Sequence, residues 1–253
     1  MAVVAPGRRR VEHVMGMPVV VDVRDEHVGD GAIDEVFDWL RLVDSRFSTF
    51  RPDSEICRID RGELAPEHAH PDVRAVLAHC EQLCEETGGY FDVRAGALRQ
   101  LDPSGLVKGW SVDRAAALLD AAGATSYAVN AGGDIRLRGG ALPENVWRVG
   151  IQHPLERDRV AAVVQTRDLA IATSGAYERG EHVIDPHTRR PPTDVLSVTV
   201  TGPDLATADA YATAAFAMGS RGGQWIAGVP GYESMVILAD GRVLSTPGFP
   251  AVE

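Results

Sequence analysis

Residues 204–219, DLATADAYATAAFAMG, read as an alanine-rich helix over 205–219 that carries one acid and two threonines where a plain core helix would carry none. Around it the second half of the chain is strand-like. VWRVGIQHP, RVAAVVQTRDLAIATSG, DVLSVTVTGP, YESMVILAD and GRVLSTPG are rich in Val and Ile, with turn residues between them. The first half is mostly helical. Ile33, Val36, Phe37, Leu40 and Val43 are spaced for a helix from about residue 30 to 46. A second helix runs from PDVRAV (71–76) to the TGG stop at 87–89, and RAAALLDAAG (114–123) reads as a third, ended by Gly123. VEHVMGMPVVVDVRDE (11–26) is a strand pair broken by GMP, and SYAVNAGGDIRLRGG (126–140) is strand, glycine turn, strand. This order predicts one α+β unit, antiparallel or mixed β layers flanked by helices, with two lobes meeting at a cleft. No repeat and no Pro/Ser-rich linker divides residues 1–253, so a single domain is expected.

Hydrophobic residues at 45% and charged residues at 24% are the balance of a soluble globular protein. The net charge of -11, with no Lys/Arg run beyond GRRR at 7–10, argues against a nucleic-acid surface. An acidic chain binds an anion through a metal ion, helix N-termini or backbone amides. Three cysteines, Cys57, Cys80 and Cys84, are an odd count that fits a reducing compartment, and Cys80 and Cys84 read as small buried apolar side chains. No apolar run approaches the ~20 residues of a membrane span. The first residues contain no cleavable apolar segment and no cysteine to lipidate, so a cytoplasmic location without stable membrane insertion is expected.

On a helix, Asp209 and Thr213 project from one face a turn apart, with Cβ atoms ~5–6 Å from each other. They are hard oxygen donors of the kind Mg²⁺ takes together with phosphate oxygens and water. Alone, the pair reads first as an acid near a helix start and a threonine bonding back to the preceding turn. Three other stretches bear on it. TSGAYERGEHVIDPHTRRPP (173–192) holds Thr173, Ser174, Gly175, His182 and Asp185; LVKGWSVD (106–113) sets Lys108 and Gly109 ahead of a helix, an ammonium and free amides where a phosphate can sit. NAGGDI (130–135) supplies Gly132, Gly133 and Asp134, glycines that let backbone come close to a flat ligand. Singly, each has a plainer reading: a turn, a solvated lysine, a structural histidine.

Taken in chain order the blocks are more specific. SRFSTFRPDSEICRID, TGGYFDV, LVKGWSVD, NAGGDIRLRG, WRVGIQHP, AIATSGAYERG, HVIDPHTRRPP and ATADAYATAAFAMG together resemble the ApbE family of FAD:protein FMN transferases, over about residues 14 to 245. The resemblance implies an ApbE-like domain around a flavin cleft. It implies a transferase that splits FAD at its diphosphate, attaches FMN through a phosphoester to a Thr or Ser of an acceptor flavoprotein and releases AMP, with Mg²⁺ required. By the same resemblance the metal is held by Asp209, Thr213 and the main-chain carbonyl of Val107, and Lys108 adds positive charge at the diphosphate. His182 is the candidate base for the incoming hydroxyl, with Asp185 orienting it or contributing to the metal's surroundings. Flavin and adenosine contacts fall on Met15, Ser48, Tyr90, Asp92, Asp113, Gly132, Gly133, Asp134, Thr173, Ser174 and Gly175. An FAD pyrophosphatase and a non-catalytic FAD-binding protein are the alternatives.

The chain also departs from the family pattern. It has FDVR where F-D-P-T is usual, SGLVKG where G-G-I-A-K-G is usual, and Asp60 where an Asn is usual. Arg94 then either meets a phosphate or fills space that a substrate loop uses elsewhere.

Overall fold

Side chains alternate along the strands and sort onto two faces, each of which must be covered. The computed structural model describes residues 7–96, 98–141, 144–156, 158–175 and 183–252. An eight-stranded sheet runs in the order β1 (Arg8–Val14), β2 (Met17–Val23), β3 (Tyr127–Ala131), β4 (Asp134–Arg138), β7 (Leu169–Gly175), β8 (Val195–Gly202), β9 (Glu233–Leu238) and β10 (Val243–Ser245). A second sheet joins β11 (Ala251–Val252), β6 (Val160–Thr166) and β5 (Trp147–Gln152). Every neighbouring pair is antiparallel.

The alternation is plain on β7. Ala170 and Ala172 belong to the core on the helical side, whereas Ile171 joins Leu137, Trp147, Val164 and Met235 in a smaller core against the three-stranded sheet. Helices α1 (Asp30–Phe47), α2 (Glu55–Asp60), α3 (Pro71–Glu86), α4 (Ser104–Ala121), α5 (Leu205–Ala217) and α6 (Gly222–Ile226) supply the other layer. None of the helices among the described residues is long and apolar enough to cross a membrane.

Helix α4 starts at Ser104, well before RAAALL, so Lys108 and Gly109 lie inside a helix and not ahead of one. Leu106, Val107 and Val112 are buried along it, and this packing overrides the poor helix propensity of two glycines in SGLVKG. Helix α5 is buried on nearly every side, with Ala208, Ala210, Ala212, Ala214 and Ala215 fully enclosed. Such a helix belongs in the centre of a fold, and its short side chains let neighbours come close.

The closest neighbour is α4. A Cβ at Gly109 would stand 2.3 Å from the main-chain oxygen of Leu205 and 2.9 Å from Cα of Ala206. The start of α5 is closed by two carboxylates. Asp204 accepts from the Thr207 N–H at 2.8 Å, and Asp113 accepts from the N–H groups of Leu205 and Ala206 at 2.8 Å each. These bonds satisfy donors that a helix start leaves unpaired and offset its partial positive charge.

Gly109→Ala must push α4 and α5 apart. The expected loss is about 1–3 kcal/mol of unfolding free energy, read by urea denaturation. Gly31→Ala in α1, where nothing lies within 4 Å of the new Cβ, is expected to gain roughly 0.4–1 kcal/mol.

Candidate active site

Two residue pairs face one another across the contact between α4 and α5, each pair spaced by one helical turn. Gly105 and Gly109 lie on α4, and Asp209 and Thr213 on α5. A Cβ at Gly105 would stand 3.2 Å from Thr213 Oγ1, and the Gly109 N–H donates to Asp209 Oδ2 at 3.0 Å. Lys108, between the glycines, reaches Asp134 Oδ2 at 2.7 Å and Asp209 Oδ1 at 3.6 Å. Asp134 stands at the start of β4 and its other oxygen accepts from the Thr173 N–H at 3.0 Å. Thr213 Oγ1 is 3.4 Å from Ser174 Oγ on β7.

The carboxylates are almost wholly enclosed: the side chains of Asp134 and Asp209 are 1% and 3% exposed, against 18% for Lys108. Two buried carboxylates therefore share one ammonium. Burial, the largest cause, raises the Asp209 carboxyl well above the usual carboxylate range; Lys108 and the Gly109 N–H pull it down, and the charge of Asp134 pushes it up. A buried excess of negative charge is costly unless a further cation shares it. Among the described residues no three His, Cys, Asp or Glu side chains converge as a metal cluster. A cation at this point would take carboxylate and hydroxyl oxygens from α5 and a main-chain oxygen from the first turns of α4, where Val107 is buried, and leave the remaining positions to a ligand.

This corner opens into a cleft of about 1250 Å³, beyond the ~300–1,000 Å³ of an ordinary small-molecule pocket. Ten of the residues singled out from sequence line it: Met15, Ser48, Tyr90, Asp92, Val107, Lys108, Thr173, Ser174, Asp209 and Thr213. Met15 sits in the β1–β2 turn at φ 57° with Gly16 at 74°, a left-handed pair that presents the methionine to the cleft. The hydroxyl of Tyr90 accepts from Arg221 at 2.7 Å, and its ring centroid lies 4.5 Å from that of His187.

Others are placed differently. Asp113 is absent from the cleft wall; it is the cap of α5, with Arg136 3.8 Å from its second oxygen. Burial, opposed by its N–H donors and Arg136, pushes its carboxyl up to about 6. Gly132 and Gly133 form the β3–β4 turn, and what approaches Gly132 is Met17, whose sulfur would be 3.0 Å from a Cβ there. Gly175 ends β7 opposite Ser197, outside the cleft wall. Asp185 spends its oxygens on the N–H of His187 at 2.8 Å and the hydroxyl of Thr188 at 2.9 Å, while its neighbours Val183 and Ile184 do line the cleft. His182 lies outside the described residues. Asp134 is absent from the cleft wall and meets the site through Lys108, Thr173 and Asp209. Gly105 was not singled out, although its spacing from Gly109 repeats that of Asp209 and Thr213 and is the signal that could have found it.

The ApbE family model matches residues 15–101 and 94–236, and the chain belongs to that family. A Vibrio cholerae protein named FAD:protein FMN transferase is 39% identical over 137 residues, covering 50% of this chain and 41% of that protein. One of the same name from Treponema pallidum is 36% identical over 216 residues, covering 78% of this chain and 57% of that protein. The matched part thus spans about half of these relatives' length. The solved structure of the flavin transferase ApbE from Vibrio cholerae superposes with a TM-score of 0.85 at 26% identity, covering 98% of this chain and all of that one.

Asp113 gives a pH signature. Its folded value of about 6 lies above the ordinary 3.8, so the folded state binds the proton more tightly than the unfolded chain. That stabilisation is complete below the ordinary value and is lost as pH rises through about 6, on the order of 2–3 kcal/mol. Asp113→Asn is expected to flatten the stability curve between pH 4 and 6, read by denaturant titration at each pH.

Proposed function

We propose that this protein is an FAD:protein FMN transferase that moves FMN from FAD to a Thr or Ser hydroxyl of an acceptor flavoprotein and releases AMP. The observation that carries the reading is the buried cluster of Lys108, Asp134 and Asp209 beside Thr213, at the wall of a large cleft, in a chain of the ApbE family. The donor set fits Mg²⁺: Asp209 and Thr213 from one helix turn and the main-chain oxygen of Val107, all hard oxygens, with an excess of buried negative charge. When bound, the ion supplies positive charge to the diphosphate as its bridging bond breaks.

The remaining work belongs to the chain. Lys108 is held by two carboxylates so that its ammonium stays at the cleft wall as a second positive charge. Met15, Phe47 and Phe50 offer apolar surface to a flat ring, and Phe50 is 90% exposed at the cleft. The acceptor oxygen bonds to the FMN phosphorus, the bridging P–O bond breaks, AMP leaves with its electron pair, and the hydroxyl proton passes to a base, for which His182 is the candidate. Its sequence neighbours Val183 and Ile184 line the cleft. Three cysteines without disulfides are in keeping with a cytoplasmic setting.

The test is incubation with FAD, Mg²⁺ and a candidate acceptor protein, with separation of FAD, FMN and AMP. Metal-dependent AMP release with FMN covalently on the acceptor is expected, and Asp209→Ala should lower it by at least about 100-fold while circular dichroism stays native. AMP with only free FMN would make the protein a pyrophosphatase. Intact FAD throughout would make it a binding protein.

A further inference from the structure

Two of the residues at which the chain departs from the family pattern, Asp60 and Arg94, meet in space. Arg94 Nη1 donates to Asp60 Oδ1 at 2.8 Å, and the same oxygen accepts from the Leu101 N–H at 2.9 Å. One carboxylate oxygen at the end of α2 therefore holds both ends of the segment that joins TGGYFDV to α4. Arg94 Nη1 also donates to the carbonyl of Arg99 at 2.8 Å. The segment closes on itself through Asp102 N–H to Val93 O at 2.8 Å, and it turns at Arg99, held at φ 54°. It has little packing to hold it in place. Gly96, Leu98, Arg99, Gln100 and Asp102 are exposed, and Leu101 is its buried anchor. Yet Val93, Gly96, Leu98, Gln100 and Leu101 form one wall of the cleft, together with Asp60 itself.

We propose that Asp60 and Arg94 are positioning residues that latch residues 93–96 and 98–102 as a cleft wall and so set how tightly the cleft retains a dinucleotide. The latch is charge-assisted and geometrically shared, one oxygen serving a guanidinium and an amide, so loss of Asp60 frees both ends of the wall and loss of Arg94 frees one while leaving the Leu101 amide on a carboxylate without its guanidinium. Arg94 first, then the Leu101 N–H, keep the Asp60 carboxyl below the usual carboxylate range, so the latch stays charged at neutral pH. The retention part of this proposal rests on the FAD reading above; the latch itself does not.

The experiment compares wild type with Asp60→Ala, Asp60→Asn, Arg94→Met and the Asp60→Ala/Arg94→Met double variant. Without ligand, hydrogen exchange read on the peptide spanning 93–102 should quicken about three- to tenfold in Asp60→Ala and Arg94→Met, a range set by a partly exposed pair. Asp60→Asn, which keeps the acceptor oxygen but not its charge, should fall between. The dissociation constant for FAD, from flavin fluorescence, should rise by a similar factor, more than AMP release at saturating FAD falls. The double variant should be no worse than the worse single one, because both break one latch. Unchanged exchange, additive effects in the double variant, or faster exchange with unaltered FAD affinity would each overturn the proposal. Wild type that does not bind FAD would overturn the reading of function and the retention part with it, while the exchange comparison would still decide the latch. If Asp60→Ala fails to fold, Asp60→Asn and Arg94→Met decide it.

Discussion

Gly109 has no side chain where the main-chain oxygen of Leu205 crosses it, and much of the site follows from that approach. A stripe on α4 meets a stripe on α5 running the other way: Gly105 against Thr213, Gly109 against Asp209 and Leu205, Asp113 against the first amides of α5. Two glycines remove side chains where the helices touch, and the acid one turn further on receives the helix start. The approach is close enough for a main-chain N–H of one helix to bond a carboxylate of the other, which fixes where Asp209 points. Packing and functional geometry are here the same contact.

The electrostatics follow from the enclosure. In water, Lys108 between two carboxylates would be an ordinary ion pair of small worth. Enclosed among α4, α5 and the ends of β4 and β7, the same three groups interact strongly, and their negative excess has few places to be neutralised. The Lys108 ammonium is held at that corner of the cleft by Asp134 and Asp209, and the second carboxylate charge leaves room there for a further cation.

Much of this was legible in the sequence. The helix periodicity of residues 30–46 and 71–86, the Val- and Ile-rich strands, the glycine turn at 132–133 and the one-turn spacing of Asp209 and Thr213 are local signals, and each appears as an element or a shared face. The start of α4 was not legible, because SGLVKG has the composition of a loop and only burial of Leu106 and Val107 makes it helical. Asp113 illustrates a second limit. A buried acid in a functional-looking block serves equally well as a ligand contact or as a helix cap, and the amides of Leu205 and Ala206, some ninety residues away in the chain, decide between them. Asp60 and Arg94 could be seen separately as departures, but nothing in their spacing shows that they share one oxygen atom with the Leu101 amide.

By itself, then, the sequence determined the elements, their α+β order and which residue types bear chemistry, since these depend on periodicities of two and 3.6 residues and on turn chemistry within a few positions. The tertiary structure alone decided that Lys108 faces two carboxylates, that the glycines of α4 seat α5, and that an acid on α2 anchors a wall of the cleft. Those outcomes depend on distances between segments far apart in the chain, set by close packing of the whole core, and no local pattern encodes them.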